Sequence, residues 1–196
     1  MIELSSISEL IETILNTSPR LVGIDGKDGS GKSTAACEIA KATGASVISL
    51  DDFIDKGKGT FADNLRYEEI GAAISKSNGS LIVEGVCLLN VIDRLGVKLD
   101  VHVYVKRISR YGFWYDIDEC AFHEDHSDVI QYFESAETDI RNVMAKSKDS
   151  NAIRNQWKMP EFRQELIRYH AQRTRVRHQI PFSRFFAPST LIKSST

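Results

Sequence analysis

The sequence predicts one α/β domain, a parallel sheet with helices on both faces, and three observations predict it. Short apolar runs alternate with segments of helical spacing, the pattern of successive βαβ units. The loop Gly26-Lys27-Asp28-Gly29-Ser30-Gly31-Lys32-Ser33 reads G-x-x-x-x-G-K-S and stands between such a run and such a helix. Acidic residues follow two further runs, Asp51-Asp52 and Glu84, where the carboxyl ends of parallel strands would lie.

Each element has its own signal. Ser6-Ile7-Ser8-Glu9 has capping-box form, and Ile7, Leu10, Ile11, Ile14 and Leu15 share one helical stripe that ends before Pro19. Arg20 to Asp25 reads as a buried strand, and Thr34 to Lys41 as the helix after the loop. Gly44 punctuates, and Ala45 to Leu50 reads as a second strand. Lys56-Gly57-Lys58-Gly59-Thr60 has no periodicity and reads as a flexible basic loop. Asn64 to Lys76 has helical spacing through Leu65, Ile70, Ala73 and Ile74, and Asn78-Gly79 turns the chain into the strand Leu81 to Glu84. A short helix over Leu88 to Leu95 and a strand over Asp100 to Val105 follow. Beyond Lys106 the pattern becomes helical, over Asp125–Lys146 and Pro160–Val176, with a polar linker from Ser147 to Asn155. Phe182 to Phe186 reads as a last strand, limited by Pro181 and Pro188. No internal repeat or low-complexity tract interrupts the chain.

Composition narrows the function classes. At 196 residues the chain suits one domain, here 1–196, with a core over about 20–106 plus the C-terminal strand and a helical lid or insert over about 107–180. A net charge of −2 gives no global pull toward nucleic acid or anionic membrane. No apolar run approaches the ~20 residues that span a bilayer, and the acidic start Met1-Ile2-Glu3-Leu4 is unlike a secretory signal. Cys37, Cys87 and Cys120 are odd in number and widely spaced, which suits reduced thiols in the cytoplasm.

The loop dictates the first chemistry. Its glycines let backbone N–H groups converge on phosphate oxygens, and the helix behind it adds unpaired donors. Gly26, Lys27, Asp28, Gly29, Ser30, Gly31, Lys32, Ser33 and Thr34 are therefore the expected nucleotide-binding residues, with Lys32 on the β- and γ-phosphates and the Ser33 hydroxyl on Mg²⁺. Phosphoryl transfer to a hydroxyl then needs a carboxylate to orient the acceptor and take its proton, and cations to neutralise developing charge. Asp51, Asp52 and Glu84 offer the carboxylates, although a helix cap is the competing reading of either aspartate. Arg107 and Arg110, beside Lys106, are candidates to close over the transferring group, with a solvated helix face as the competing reading. Arg163, Arg168, Arg173, Arg175, Arg177 and Arg184 make the C-terminal end basic, by default a solvated face. Cys120, His123 and His126 recur every third residue, but three local ligands without a paired cysteine make a poor metal site. Tyr111-Gly112-Phe113-Trp114-Tyr115 reads as lid or core packing.

The chain resembles the uridine kinase-like branch of P-loop kinases, related to phosphoribulokinase and pantothenate kinase. The matching segments are Gly23-Ile24-Asp25-Gly26 running into the loop, Ser49-Leu50-Asp51-Asp52-Phe53, and Ile82-Val83-Glu84-Gly85. Arg107 and Arg110 stand where the family's lid begins. The resemblance, over roughly residues 20–110, implies a three-layer P-loop NTPase fold with a five-stranded parallel sheet, nucleoside/nucleotide kinase-like. It implies Mg·ATP as donor and a small hydroxyl-bearing acceptor as partner. It puts Asp51 at the catalytic-base position and Glu84 at a metal- or acceptor-side position, and makes Arg107 and Arg110 candidate lid arginines. With the loop reading, the catalytic candidates are Asp51, Lys32, Arg107 and Arg110, and the metal-side candidates Ser33, Asp51 and Glu84. A homodimer is compatible with the reading, a membrane is not expected, and nucleic acid is not the expected partner. Ile54 replaces the tyrosine usual in nucleoside-phosphorylating members, and Asp55 to Arg66 is unlike their uridine-recognition segment. Two other classes are weaker. Asp93-Arg94-Leu95-Gly96 fits the D-x-x-G of a GTPase switch, but no N-K-x-D follows the fourth strand; an RNA-binding module would rely on the C-terminal arginines.

Overall fold

The computed structural model describes residues 2–55, 60–108, 131, 135, 138, 161–175 and 183–188. The first half runs β1 (Ile2–Leu4), α1 (Ile7–Thr17), β2 (Leu21–Gly26), α2 (Lys32–Thr43), β3 (Ser46–Ser49) and α3 (Tyr67–Lys76). It continues through β4 (Leu81–Gly85), α4 (Leu88–Leu95), β5 (Val101–Ile108), α5 (Glu161–Arg175) and β6 (Ser183–Pro188).

Strands β2 and β4 are buried along their whole length. A strand can be apolar on both faces only where both are covered, and here alternate residues feed two separate cores. Leu21, Leu81 and Val83 join one core with α3, α4 and α5 through Ile70, Leu88, Val91 and Leu166. Val22, Ile24, Ile82 and Val103 join the other with α1 and α2 through Leu10, Ile14, Ala36 and Ile39. The result is helix, sheet, helix.

The sheet order is β1-β6-β5-β2-β4-β3, and every pairing is parallel. Four strands, β5-β2-β4-β3, form the block beneath the site, and β6 and β1 extend it beyond β5. The expectation of five strands is therefore corrected to six among the described residues. The added strand is Ile2–Leu4, in register with Ser183–Phe185 at the edge; three residues are too few for a readable alternation. The chain lays β3 and β4 on one side of β2 and then crosses to β5 on the other. That reversal opens a crevice at the carboxyl end of β2, where ligands of such sheets bind.

Several boundaries differ from the sequence expectation for local reasons. Helix α3 starts at Tyr67, because Ala62–Asn64 form a 3-10 turn and Leu65 bridges antiparallel to Ile54. Asp55 N–H donates to Asn64 O at 2.9 Å and Arg66 N–H to Phe53 O at 2.9 Å, so the two ends of this loop are tied together. Strand β5 continues to Ile108, which puts Lys106 and Arg107 on the strand rather than after it. At α1 the Glu9 N–H donates to Ser6 Oγ at 3.3 Å as the capping box requires, but the Glu9 carboxylate accepts from Ser5 N–H at 2.8 Å. Of the stretch Asp125–Lys146, Gln131, Ser135 and Thr138 are described, all helical and exposed. The linker from Ser147 to Asn155 lies outside the described residues.

Candidate active site

The phosphate loop begins where β2 stops. Gly26 has φ 153°, and a Cβ there would stand 2.6 Å from Val105 O and 2.8 Å from Ser30 Oγ, so only hydrogen fits. Gly31, at φ 97°, caps α2 with no side-chain hydrogen bond, so the first N–H groups of that helix have no side-chain cap. Ser30 N–H donates to Lys27 O at 3.1 Å and Gly29 N–H to Asp28 Oδ1 at 3.0 Å, which close the turn. Lys32 is 7% exposed, and its Nζ donates to Lys27 O at 3.0 Å, so the ammonium lies across the loop. Ser30 Oγ is buried and has no hydrogen-bond partner among the described residues. Thr34 is exposed on the first turn of α2. Arg107 reaches this loop from β5: its Nη1 lies 3.8 Å from where a Cβ on Gly29 would stand.

Glu84 sits at the end of β4 and is 4% exposed. Its Oε1 accepts from Ser33 Oγ at 3.2 Å and from Ser49 Oγ at 2.6 Å, so α2, β3 and β4 meet on one carboxylate oxygen. An all-oxygen set beside a phosphate loop suits a hard cation such as Mg²⁺. Ser49 was not singled out from the sequence. Its signal is register: the last residue of β3 stands opposite Glu84. Of the three residues expected on the metal side, Ser33 and Glu84 come together. Asp51 instead lies exposed in the 3-10 turn Leu50–Phe53, with no hydrogen bond or ion pair among the described residues. Among those residues no group of three or more His, Cys, Asp or Glu could hold a metal by itself.

A second buried carboxylate was also missed. Asp25, fully buried at the end of β2, faces the core opposite to the one Glu84 faces. Its Oδ1 accepts from Gly26 N–H at 2.8 Å, its Oδ2 accepts from the Tyr169 hydroxyl, and His102 Nε2 lies 3.5 Å from Oδ2. Tyr104, in register with Asp25 on β5, holds His170 Nδ1 at 2.6 Å. Burial pushes the Asp25 pKa up, but His102, His170 and the Tyr169 hydroxyl outweigh it and hold the carboxyl below its ordinary value. In the sequence Asp25 looked like the last letter of a strand, and its partners are far away along the chain.

The facing residues 52–55 and 60–69, with Arg94 and Glu165, carry half-buried and exposed polar groups. Arg66 donates to Asp52 O at 2.8 Å and pairs with Asp55 at 3.3 Å and Glu69 at 2.9 Å. Arg94 pairs with Asp63 at 3.4 Å and lies over the Tyr67 ring at 4.2 Å. Glu165 of α5 accepts from Phe61 N–H at 2.6 Å and Ala62 N–H at 3.3 Å. Burial raises the Glu165 pKa more than these hydrogen bonds lower it. A cleft of about 430 Å³ opens beside this contact, lined by Thr60, Asp63, Asn90, Gln164, Glu165, Arg168 and Tyr169.

No protein-family model matches the chain, and no curated protein does. Among solved structures, one described as a possible uridine kinase from Bacillus stearothermophilus is similar at 21% identity and a TM-score of 0.39. That match covers 50% of this chain and 78% of the other. The functional reading therefore rests on the site itself. Asp93 and Arg94 lie at the end of α4, not at a strand end where a GTPase switch would need them. Arg110, Tyr111–Tyr115, Cys120, His123, His126 and Arg177 lie outside the described residues, as do the side chains of Arg173, Arg175 and Arg184. No helix among the described residues is long and apolar enough to cross a membrane.

Proposed function

We propose that the protein is a Mg·ATP-dependent kinase that transfers the γ-phosphoryl group to a hydroxyl of a small polar acceptor. One observation carries the reading: Ser33, Ser49 and Glu84 converge on one oxygen beside a lysine-bearing phosphate loop. The residues present fit both ligands. A glycine cradle that a Cβ at Gly26 would fill, and a buried Ser30 hydroxyl without a partner among the described residues, suit phosphate oxygens. Ser33 and Glu84 would hold Mg²⁺, which supplies charge neutralisation at the phosphates.

The chain's own residues then divide the work. The loop amides and Lys32 hold the phosphates in line, and Arg107 adds positive charge beside Gly29. Asp51, exposed on the far wall, takes the proton of the acceptor hydroxyl as its oxygen bonds to the γ-phosphorus and the bond to the bridging oxygen of the leaving ADP breaks. The polar cleft along Thr60, Asp63 and Asn90 takes the acceptor, which favours a hydroxyl-rich molecule over an apolar one. A coupled ADP-release screen over nucleosides, sugars, pantothenate and other small alcohols, with Mg·ATP and Mg·GTP, tests this. The expected outcome is release that depends on both Mg²⁺ and one acceptor class. Binding of Mg·ATP with no acceptor-stimulated release across the screen would overturn the transfer reaction.

A further inference from the structure

The buried cluster beneath the phosphate loop lies on the face of the sheet opposite Glu84, yet it touches the first residue of the loop. Gly26 is confined on one side by Val105 O and on the other by Ser30 Oγ, and its N–H is claimed by Asp25 Oδ1. What orients the Asp25 carboxylate comes from outside β2. The Tyr169 hydroxyl, 144 positions later in the chain, donates to Oδ2, and the same hydroxyl accepts from Leu89 N–H at 3.2 Å at the start of α4. His102 on β5 flanks Oδ2, and the His170 ring packs edge-on against Tyr169 at 5.1 Å and Tyr104 at 5.7 Å. Tyr169 is 3% exposed and His170 1%.

Burying a carboxylate one residue ahead of a phosphate site is costly twice over. It loses solvation, and its charge opposes the ligand's. An asparagine or a serine could receive the Gly26 N–H without either cost. A carboxylate, unlike them, accepts strongly at both oxygens at once, so it can transmit the position of α5 to the loop as a stiff, charge-assisted bridge. Glu165, one turn earlier on α5, accepts from Phe61 N–H and Ala62 N–H of the opposite wall. The i, i+4 pair Glu165 and Tyr169 thus lies on one face of one helix, with one end on each wall of the crevice.

We propose that Tyr169 is a positioning residue for the phosphate loop, acting through Asp25, and that α5 is the strut that sets this loop against the acceptor wall. Its consequence for ligand binding rests on the nucleotide-binding part of the proposed function. Tyr169→Phe keeps the ring in its core and removes only the hydroxyl, with its bonds to Asp25 and to Leu89 N–H. Leu166→Ala, in the same helix and core, lowers stability while leaving the Tyr169–Asp25 bridge in place. Two measurements on the full chain decide the matter: amide hydrogen exchange at Gly26 in the ligand-free protein, and calorimetric affinity for Mg·ATP. In Tyr169→Phe, Gly26 exchange accelerates and Mg·ATP affinity falls about tenfold, the scale of effect expected for a group that orients a ligand-binding group. In Leu166→Ala the melting temperature falls while Mg·ATP affinity stays within about twofold of the parent. Unchanged Gly26 exchange in Tyr169→Phe would overturn the proposal. So would an equal affinity loss in Leu166→Ala, which would make the effect one of general loosening. A parent chain that fails to bind Mg·ATP would sink the nucleotide reading instead, with Gly26 exchange still deciding the role of Tyr169.

Discussion

On the proposed donor wall of the crevice, Lys32 is 7% exposed, Glu84 4% and Asp25 0%; Lys32 and Asp25 are hydrogen-bonded to backbone, and Glu84 to the Ser33 and Ser49 hydroxyls. On the proposed acceptor wall, Asp51, Asp52, Asp55 and Asp63 are exposed, and ion pairs of Arg66 and Arg94 near solvent add to the backbone hydrogen bonds and the buried Phe61 and Leu65 that hold the loop. Solvent-exposed pairs contribute little to stability. The proposed donor wall is thus fixed by buried groups, and the proposed acceptor wall joins the core through Phe61 and Leu65 while presenting its carboxylates to solvent. A triphosphate has one shape, and a rigid, buried cradle suits it. An acceptor is selected by side chains, and exposed ones can change without disturbing the core.

Substitutions on the two walls should consequently separate activity from stability. The largest effect expected is that of Lys32→Ala, an at least about 10³-fold loss of acceptor-dependent ADP formation in the coupled assay. Asp51→Asn should lose about 10²- to 10³-fold in turnover while its unfolding free energy in urea stays within about 0.5 kcal/mol, because the side chain is exposed and unpaired among the described residues. Full activity in Asp51→Asn would remove the assigned base. Ser49→Ala should raise the Mg²⁺ concentration needed for half-maximal activity by about tenfold, since Ser49 orients Glu84. No change in the Mg²⁺ titration would separate Glu84 from the metal.

The smallest effect concerns acid. Because the Asp25 pKa is depressed on folding, its contribution is fully present above the unfolded value, about 4, and is lost as pH falls through the lower folded value. Asp25→Asn lacks that titration. Its stability should then fall less steeply below about pH 4 than the parent's, by up to about 1.4 kcal/mol per pH unit, read from urea melts across pH. Parallel slopes would mean that the Asp25 pKa is not depressed on folding.

The donor wall was legible because its physics is local. Gly26, Gly29, Gly31, Lys32 and Ser33 are close in sequence, and a strand before and a helix after the loop are themselves readable from periodicity. The parallel α/β architecture was legible for the same reason, one βαβ unit at a time. Glu84 could be placed at a strand end, but not its pairing with Ser49, which depends on the register of β3 against β4. The strand Ile2–Leu4 escaped because it is specified by β6, not by its own pattern.

What the sequence by itself determined, then, is the phosphate loop, the alternation of strands and helices, and the carboxylates at strand ends; each is set by neighbours within a few residues. Only the tertiary structure decided what each of those carboxylates meets. Glu84 and Asp25 lie two strands and many residues apart in sequence, yet adjacent strands send them to opposite faces, one to Ser33 and the other to Tyr169. That choice follows from the alternation of side chains across a pleated sheet and from where α5 returns, neither of which is written at the residue itself.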